Sequence, residues 1–165
     1  MKITSKVLMA VAVVTTAIAV AVPALTGAQA TGGARDITVL MKFRGASQTQ
    51  HSDRPKGDML APGDALTVRF AMFSADGAAV GTVYADCVNV GPKARSQKAT
   101  LQCTQTYRFN DGQVVAQGVV NFSRLDGLAV PIVGGSGSYR SASGILGAGK
   151  PVKGFDSVDI LHLDG

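Results

Sequence analysis

Beyond residue 30, no window of this 165-residue chain sustains an apolar period of 3.6 residues. Short runs rich in Val, Thr, Phe, Tyr and Ile follow one another instead, each ended by Gly, Pro, Asn or Asp. That rhythm excludes a helical bundle and points to an all-β fold. Strands are expected near Ile37–Phe43, Ala65–Phe73, Ala79–Val90, Ala99–Phe109, Gln113–Phe122, Ala129–Val133, Gly144–Ala148 and Phe155–Leu163. The polar segment Arg44–Gly63, carrying Pro55 and Pro62, reads as a long loop or an edge excursion. Eight short strands favour a barrel or a sandwich, because one flat sheet of that size leaves two exposed edges and an uncovered apolar face. With 20 Gly, no Trp and 16% charged residues, the composition suits one turn-rich domain.

The first thirty residues follow a different logic. Lys2 and Lys6 precede a mainly apolar stretch from Val7 to Val22, then come Pro23 and the small-residue pattern Ala28-Gln29-Ala30. This is the layout of a secretory signal peptide, and the stretch falls short of the roughly 20 residues a membrane span needs. The expected product is a secreted, extracellular chain, a single domain over 31–165. Within it, 31–56 supplies an N-terminal strand and polar loop, and 57–165 the body of the fold. Of the 16 basic and 11 acidic residues, Lys2 and Lys6 leave with the leader, so the mature chain carries only +3. No basic stripe argues for nucleic acid, and no membrane association is expected once the leader is gone.

In an exported chain, Cys87 and Cys103 are expected to pair rather than remain free. The turns supply a register against which to place them. A two-residue turn at Asp76-Gly77 sets Phe70 against Val83, Val68 against Ala85 and Leu66 against Cys87. A second at Asp111-Gly112 sets Phe109 against Val114, Tyr107 against Ala116, Cys103 against Val120 and Leu101 against Phe122. Closing the loop around Gly91–Gln97 then places Cys87 opposite Cys103, Val83 opposite Tyr107 and Ala85 opposite Gln105. All three assignments agree on one inner face: Leu66, Val68, Phe70, Met72, Val83, Ala85, Leu101, Tyr107, Phe109, Val114, Ala116, Val120 and Phe122, with Gln105 and Asn89 as further polar members. A slip of one residue would turn Arg69, Asp86 or Arg108 inward. Ala85, Ala116 and Gly118 are small for a barrel interior and leave room beside the aromatic side chains. Tyr107 reads either as a ligand contact or as a core tyrosine with a backbone partner.

The run Pro131-Ile132-Val133-Gly134-Gly135-Ser136-Gly137-Ser138-Tyr139-Arg140-Ser141-Ala142-Ser143-Gly144 resembles the GGTGxFRxARG signature shared by plant dirigent proteins and the bacterial members of the allene oxide cyclase-like barrel superfamily. Gly57-Asp58, the Gly81–Val90 strand with Cys87-Val88, and Tyr107–Gln113 followed by Gln117-Gly118 resemble the same family in the same order. The resemblance implies an eight-stranded antiparallel β-barrel of calycin-like form, with an apolar central cavity and assembly as a homotrimer. Ser138 and Ser143 stand where lignan-forming dirigent proteins carry an acid and an arginine, so chemistry on lignan radicals is not implied.

Other chemical signals are thin. Gly134-Gly135-Ser136-Gly137 lacks the Lys-Ser/Thr of a phosphate loop and reads as a tight turn entering a strand. His51 and His162 lie far apart and neither has a placed nucleophile, so neither a triad nor a metal site is expected, and no cofactor is implied. Asp86, Tyr84 and Arg69 face outward. The candidate ligand-binding residues are therefore Phe70, Ala85, Gln105, Tyr107, Ala116 and Phe122, with Tyr107 and Gln105 orienting one polar atom. Three readings follow: a barrel that steers cyclisation or coupling of a small apolar or phenolic metabolite, a carrier of such a molecule, or a solid-core surface module.

Overall fold

The computed structural model describes residues 34–49, 59–121, 123 and 128–164; the leader, His51, Gly57, Asp58 and Phe122 lie outside them. Ten strands follow in order: β1 Arg35–Thr49, β2 Met59–Leu60, β3 Ala65–Phe73, β4 Ala79–Asn89, β5 Ala94–Arg95, β6 Leu101–Phe109, β7 Gly112–Val120, β8 Ala129–Gly137, β9 Gly144–Ala148 and β10 Ser157–Leu163. Eight of them close into an antiparallel barrel in the order β1-β10-β9-β8-β7-β6-β4-β3. Apart from the excursions that hold β2 and β5, each strand pairs with the next in sequence, and the last pairs with the first. Closure removes both sheet edges, which a strand set with one apolar face otherwise leaves open.

The expected register holds across β3, β4 and β6. Phe70 faces Val83, Val68 faces Ala85 and Leu66 faces Cys87. Likewise Val83 faces Tyr107, Ala85 faces Gln105 and Cys87 faces Cys103. The β6–β7 hairpin differs by two residues: Tyr107 faces Val114, Cys103 faces Gly118 and Leu101 faces Val120, because the two-residue turn is Asn110-Asp111. A shift of two changes each partner and leaves every side chain on its face, so Tyr107, Val114, Ala116 and Val120 are buried as expected.

Two segments depart from the expectation. β1 does not stop at Phe43. It shifts register between Phe43 and Gly45 and continues to Thr49 along β3. The glycine run Gly134–Gly137 is not a turn but the end of β8, laddered to β7 from Val115↔Gly134 to Gly112↔Gly137. At Gly135 and Gly137 a side chain has no room. A Cβ on Gly135 would lie 2.5 Å from the Gln113 carbonyl oxygen, and Gly137 has φ +61° with the Asp111 carbonyl oxygen 2.3 Å from where its Cβ would stand.

β2 and β5 form a separate two-stranded ladder, and Leu60 of β2 joins the barrel core without exposure. Polar backbone in this excursion is satisfied locally. Asp64 Oδ2 accepts from the Ala61 N–H at 2.8 Å, and the Asn89 side-chain amide donates to Leu60 O at 3.2 Å and Pro92 O at 3.3 Å. Buried polar groups persist only when paired in this way.

Cys87 and Cys103 form a disulfide inside the barrel, their Cα atoms 4.1 Å apart across the β4–β6 ladder. Their sequence separation of 16 closes a loop worth roughly 3 kcal/mol in the chain-entropy description. Non-reducing peptide mapping is expected to recover the Cys87–Cys103 peptide pair, and replacing both by Ala to lower unfolding free energy by about 2–4 kcal/mol in denaturant melts. Two alkylatable thiols in the folded protein would contradict this.

Candidate functional site

Inside the barrel, at the end where β7 leads to β8 and β9 leads to β10, lies a cavity of about 220 Å³. Met41, Phe70, Val83, Ala85, Val120 and Leu128 supply apolar wall, and Gln105, Ser157 and Asp159 supply polar atoms. Exposed Ala148 and Asp156 stand at the rim, whereas Gln105 and Asp159 are over nine-tenths buried and form the floor. Phe43, half exposed, sets its ring edge-on to Phe70 at 5.9 Å and extends the aromatic wall outward. The barrel is therefore not packed solid.

Of the six residues singled out by sequence, Phe70, Ala85 and Gln105 line this cavity. Tyr107 does not: its ring is wholly buried beneath the floor. Ala116 is also wholly buried away from the cavity. The room expected beside Ala116 and Gly118 is taken by β8, since a Cβ on Gly118 would meet Val130 Cγ1 at 3.0 Å. Phe122 lies outside the described residues. Arg69, Asp86 and Arg108 are exposed, as the register requires.

The floor contains an acid that the sequence reading missed. Asp159 of β10 shares its alternation with Leu161 and Leu163, both buried, and that pattern is legible in Ser157–Leu163. β10 lies outside the inner face read from the turns, whose polar members Gln105 and Asn89 are buried as expected. Tyr107 joins the two floor residues, its hydroxyl hydrogen-bonded to Gln105 Oε1 at 2.8 Å and to Asp159 Oδ2. Of the two readings of Tyr107, the core tyrosine holds, with two side chains in place of a backbone partner.

One hydroxyl carries one proton and cannot donate to both acceptors. With Asp159 ionised, Tyr107 donates to the carboxylate and its contact with Gln105 Oε1 brings two lone-pair oxygens together. With Asp159 protonated, the acid donates to Tyr107, Tyr107 donates to Gln105, and each contact holds a proton. The second arrangement is available below about pH 6, where the acid is neutral. Burial raises the Asp159 carboxyl to about 6, outweighing the hydrogen bond from Tyr107, which acts the other way. Burial above all, then the charge of Asp159 and the hydrogen bond to it, hold the Tyr107 hydroxyl well above its ordinary value, so it remains protonated. Among the described residues no cluster of His, Cys, Asp and Glu is arranged to hold a metal. His162 Nδ1 lies 2.7 Å from Asp36 Oδ1 on the outer surface, with both side chains about half exposed.

A closed meander barrel with an apolar cavity and a buried acid at its floor defines a class of barrels suited to small, weakly polar molecules. The chain belongs to the family described as the allene oxide cyclase barrel like domain, whose model matches residues 46–154. No curated protein matches the chain. Among solved structures, a pyocyanin demethylase is similar at 20% identity and a TM-score of 0.59, covering 78% of this chain and 99% of its own. AbnU, an exo-specific intermolecular Diels-Alderase, is similar at 13% identity and a TM-score of 0.57, covering 81% and 100%. A pterocarpan synthase dirigent protein follows at 14% and 0.51, covering 80% and 85%. At these identities the likeness establishes the shared fold.

The carboxyl of Asp159 binds its proton more tightly in the folded chain than at its ordinary value of 3.8, so folding takes up a proton between about pH 4 and 6. Its contribution to stability is therefore full below pH 4 and lost as pH rises through 6, a loss of about 3 kcal/mol. Asp159→Asn, whose amide can donate to Tyr107 as the neutral acid does, is expected to gain about 2 kcal/mol on the wild type between pH 4.5 and pH 7.5. Denaturant melts at the two pH values measure it, and parallel shifts of the two proteins would contradict a buried acid.

Proposed function

We propose that the barrel binds a small apolar molecule in this cavity and holds it in one folded conformer, so that shape steers a cyclisation or coupling. The carrying observation is the cavity itself: apolar walls from four strands around a buried, hydrogen-bonded polar floor. About 220 Å³ is below the roughly 300–1,000 Å³ of sites for drug-sized ligands, which limits the occupant to a compact molecule or one end of a larger one. Similar barrels bearing the names of a Diels-Alderase and a dirigent protein support the steering role over simple carriage. Incubation with candidate polyenes or phenols separates the two: altered product distribution marks steering, and unchanged ligand marks a carrier.

Ala85 sits in the wall, whereas Ala116 on β7 is buried outside the cavity lining, so one enlargement at each position tests the site. Ala85→Leu is expected to abolish binding of an environment-sensitive apolar dye. Ala116→Leu is expected to keep it while losing about 1–3 kcal/mol of stability to overpacking. Fluorescence titration with parallel melts gives both numbers, and the reverse pattern would remove the site from this cavity.

The proposal includes export of the chain from Thr31 and assembly as a homotrimer. The buried disulfide supports an oxidising destination, and exposed Val119, Val133 and Ile145 on the outer side of β7, β8 and β9 support contact between copies. Native mass spectrometry of secreted protein is expected to give three times the mass of a chain beginning at Thr31. A single-chain mass, or one retaining Met1, would remove the corresponding element.

A further inference from the structure

The polar floor is specific about what it leaves unpaired. Asp159 uses Oδ2 and Gln105 uses Oε1 on the same tyrosine hydroxyl. Among the described residues, Asp159 Oδ1 and Gln105 Nε2 have no hydrogen-bond partner, yet no side-chain polar atom is both fully buried and unpaired. Both residues line the cavity, so these two atoms are offered to whatever occupies it. Two planar groups anchored on one oxygen thus each keep one free end: an amide N–H₂ that donates and a carboxyl oxygen that accepts.

The hydrogen pattern fixes the sense of each end. When Asp159 carries its proton on Oδ2 toward Tyr107, the free Oδ1 is a carbonyl oxygen and accepts only. Tyr107 holds Gln105 by its oxygen, which directs the amide nitrogen to the open side. Tyr107 itself, buried beneath, does not reach the ligand and acts as a positioning residue for both ends.

The geometry points to a ligand head group that presents an acceptor and a donor on one planar unit: an amide, a neutral carboxylic acid, or the enol of a 1,3-dicarbonyl compound. The ligand oxygen accepts from Gln105 Nε2 and the ligand N–H or O–H donates to Asp159 Oδ1, while its apolar body lies against Phe70, Val83 and Met41. An ester or ether of the same body fills the walls but leaves Oδ1 unpaired, which costs affinity because a desolvated acceptor has lost its water. This deepens the proposed function and rests on the same cavity.

Two uncharged probes of matched shape test it: cinnamamide, with donor and acceptor, and methyl cinnamate, with acceptors only. Calorimetric titration at pH 5 is expected to show cinnamamide binding the wild type about three- to tenfold more tightly, the factor of one hydrogen bond. Asp159→Asn, which turns a carbonyl oxygen to the cavity as the neutral acid does, is expected to keep that preference. Asp159→Leu and Gln105→Leu, each checked by circular dichroism for the β-fold, are expected to lose it while still binding methyl cinnamate. Equal affinities in the wild type, or a preference that survives both leucine variants, would overturn this inference and leave the cavity reading standing. Failure of both probes to bind the wild type would overturn the cavity reading and this inference together.

Discussion

The barrel depends on how β1 is shared between its two neighbours. Residues Arg35–Met41 ladder with β10 and residues Leu40–Thr49 ladder with β3, so only Leu40 and Met41 pair on both sides. Closing a sheet into a barrel requires such a stagger; the fifteen-residue β1 carries one part of it, and β8, whose Ala129–Ile132 ladder with β9 and Ile132–Gly137 with β7, carries another. Beyond Met41, β1 has left β10 behind, and the Phe43 N–H that would have joined the ladder donates instead to Asp156 Oδ2 at 2.8 Å. The cavity mouth stands where the two strands part, with Met41, Asp156 and Ser157 on its border. Site and closure are two aspects of one stagger.

The interior then combines opposed requirements. Tyr107, Val114, Leu146 and Leu161 are sealed from solvent and favour the closed form through apolar burial. Asp159 in the same interior works against it whenever ionised, since a carboxylate loses its water there and gains only one hydroxyl in exchange. A barrel built for stability alone would place Leu or Val at that point of β10, where the alternation already asks for an apolar side chain. The acid is a local departure from the pattern that the rest of the strand obeys, the kind of inconsistency that gathers at working sites.

Much of this was legible because strands have a period of two. The register expected for the β6–β7 hairpin differs from the observed one by two residues, and Leu101, Cys103, Tyr107, Val114, Ala116 and Val120 still face inward. Closing the Gly91–Gln97 loop so that Cys87 meets Cys103 carries Val83↔Tyr107 and Ala85↔Gln105 with it, and the β4–β6 ladder holds all three pairs. Asp159 escaped because no short turn ties β10 to β9. The connection 149–156 leaves the register open, and only the shared parity with Leu161 and Leu163 carried the signal. Gly134–Gly137 misled for the opposite reason. Gly135 and Gly137, of a kind that usually marks a turn, are here required by close backbone packing, where even a methyl group would strike a carbonyl.

The disulfide joins neighbouring strands of the middle of the chain, whereas the floor joins Tyr107 to a residue 52 positions further along. These two interior links belong to different moments in the life of a newly made chain. The bridge can be drawn as soon as β4 and β6 exist, at small loop-closure cost. The acid reaches its tyrosine only after β10 has been made and brought back against β1. A chain that has not yet made β10 can therefore hold its covalent staple before its cavity has a floor. Until the final strand docks, it shows the surroundings two raw sheet margins, and the polar floor of the cavity and protection from sticking to its own kind arrive in the same event.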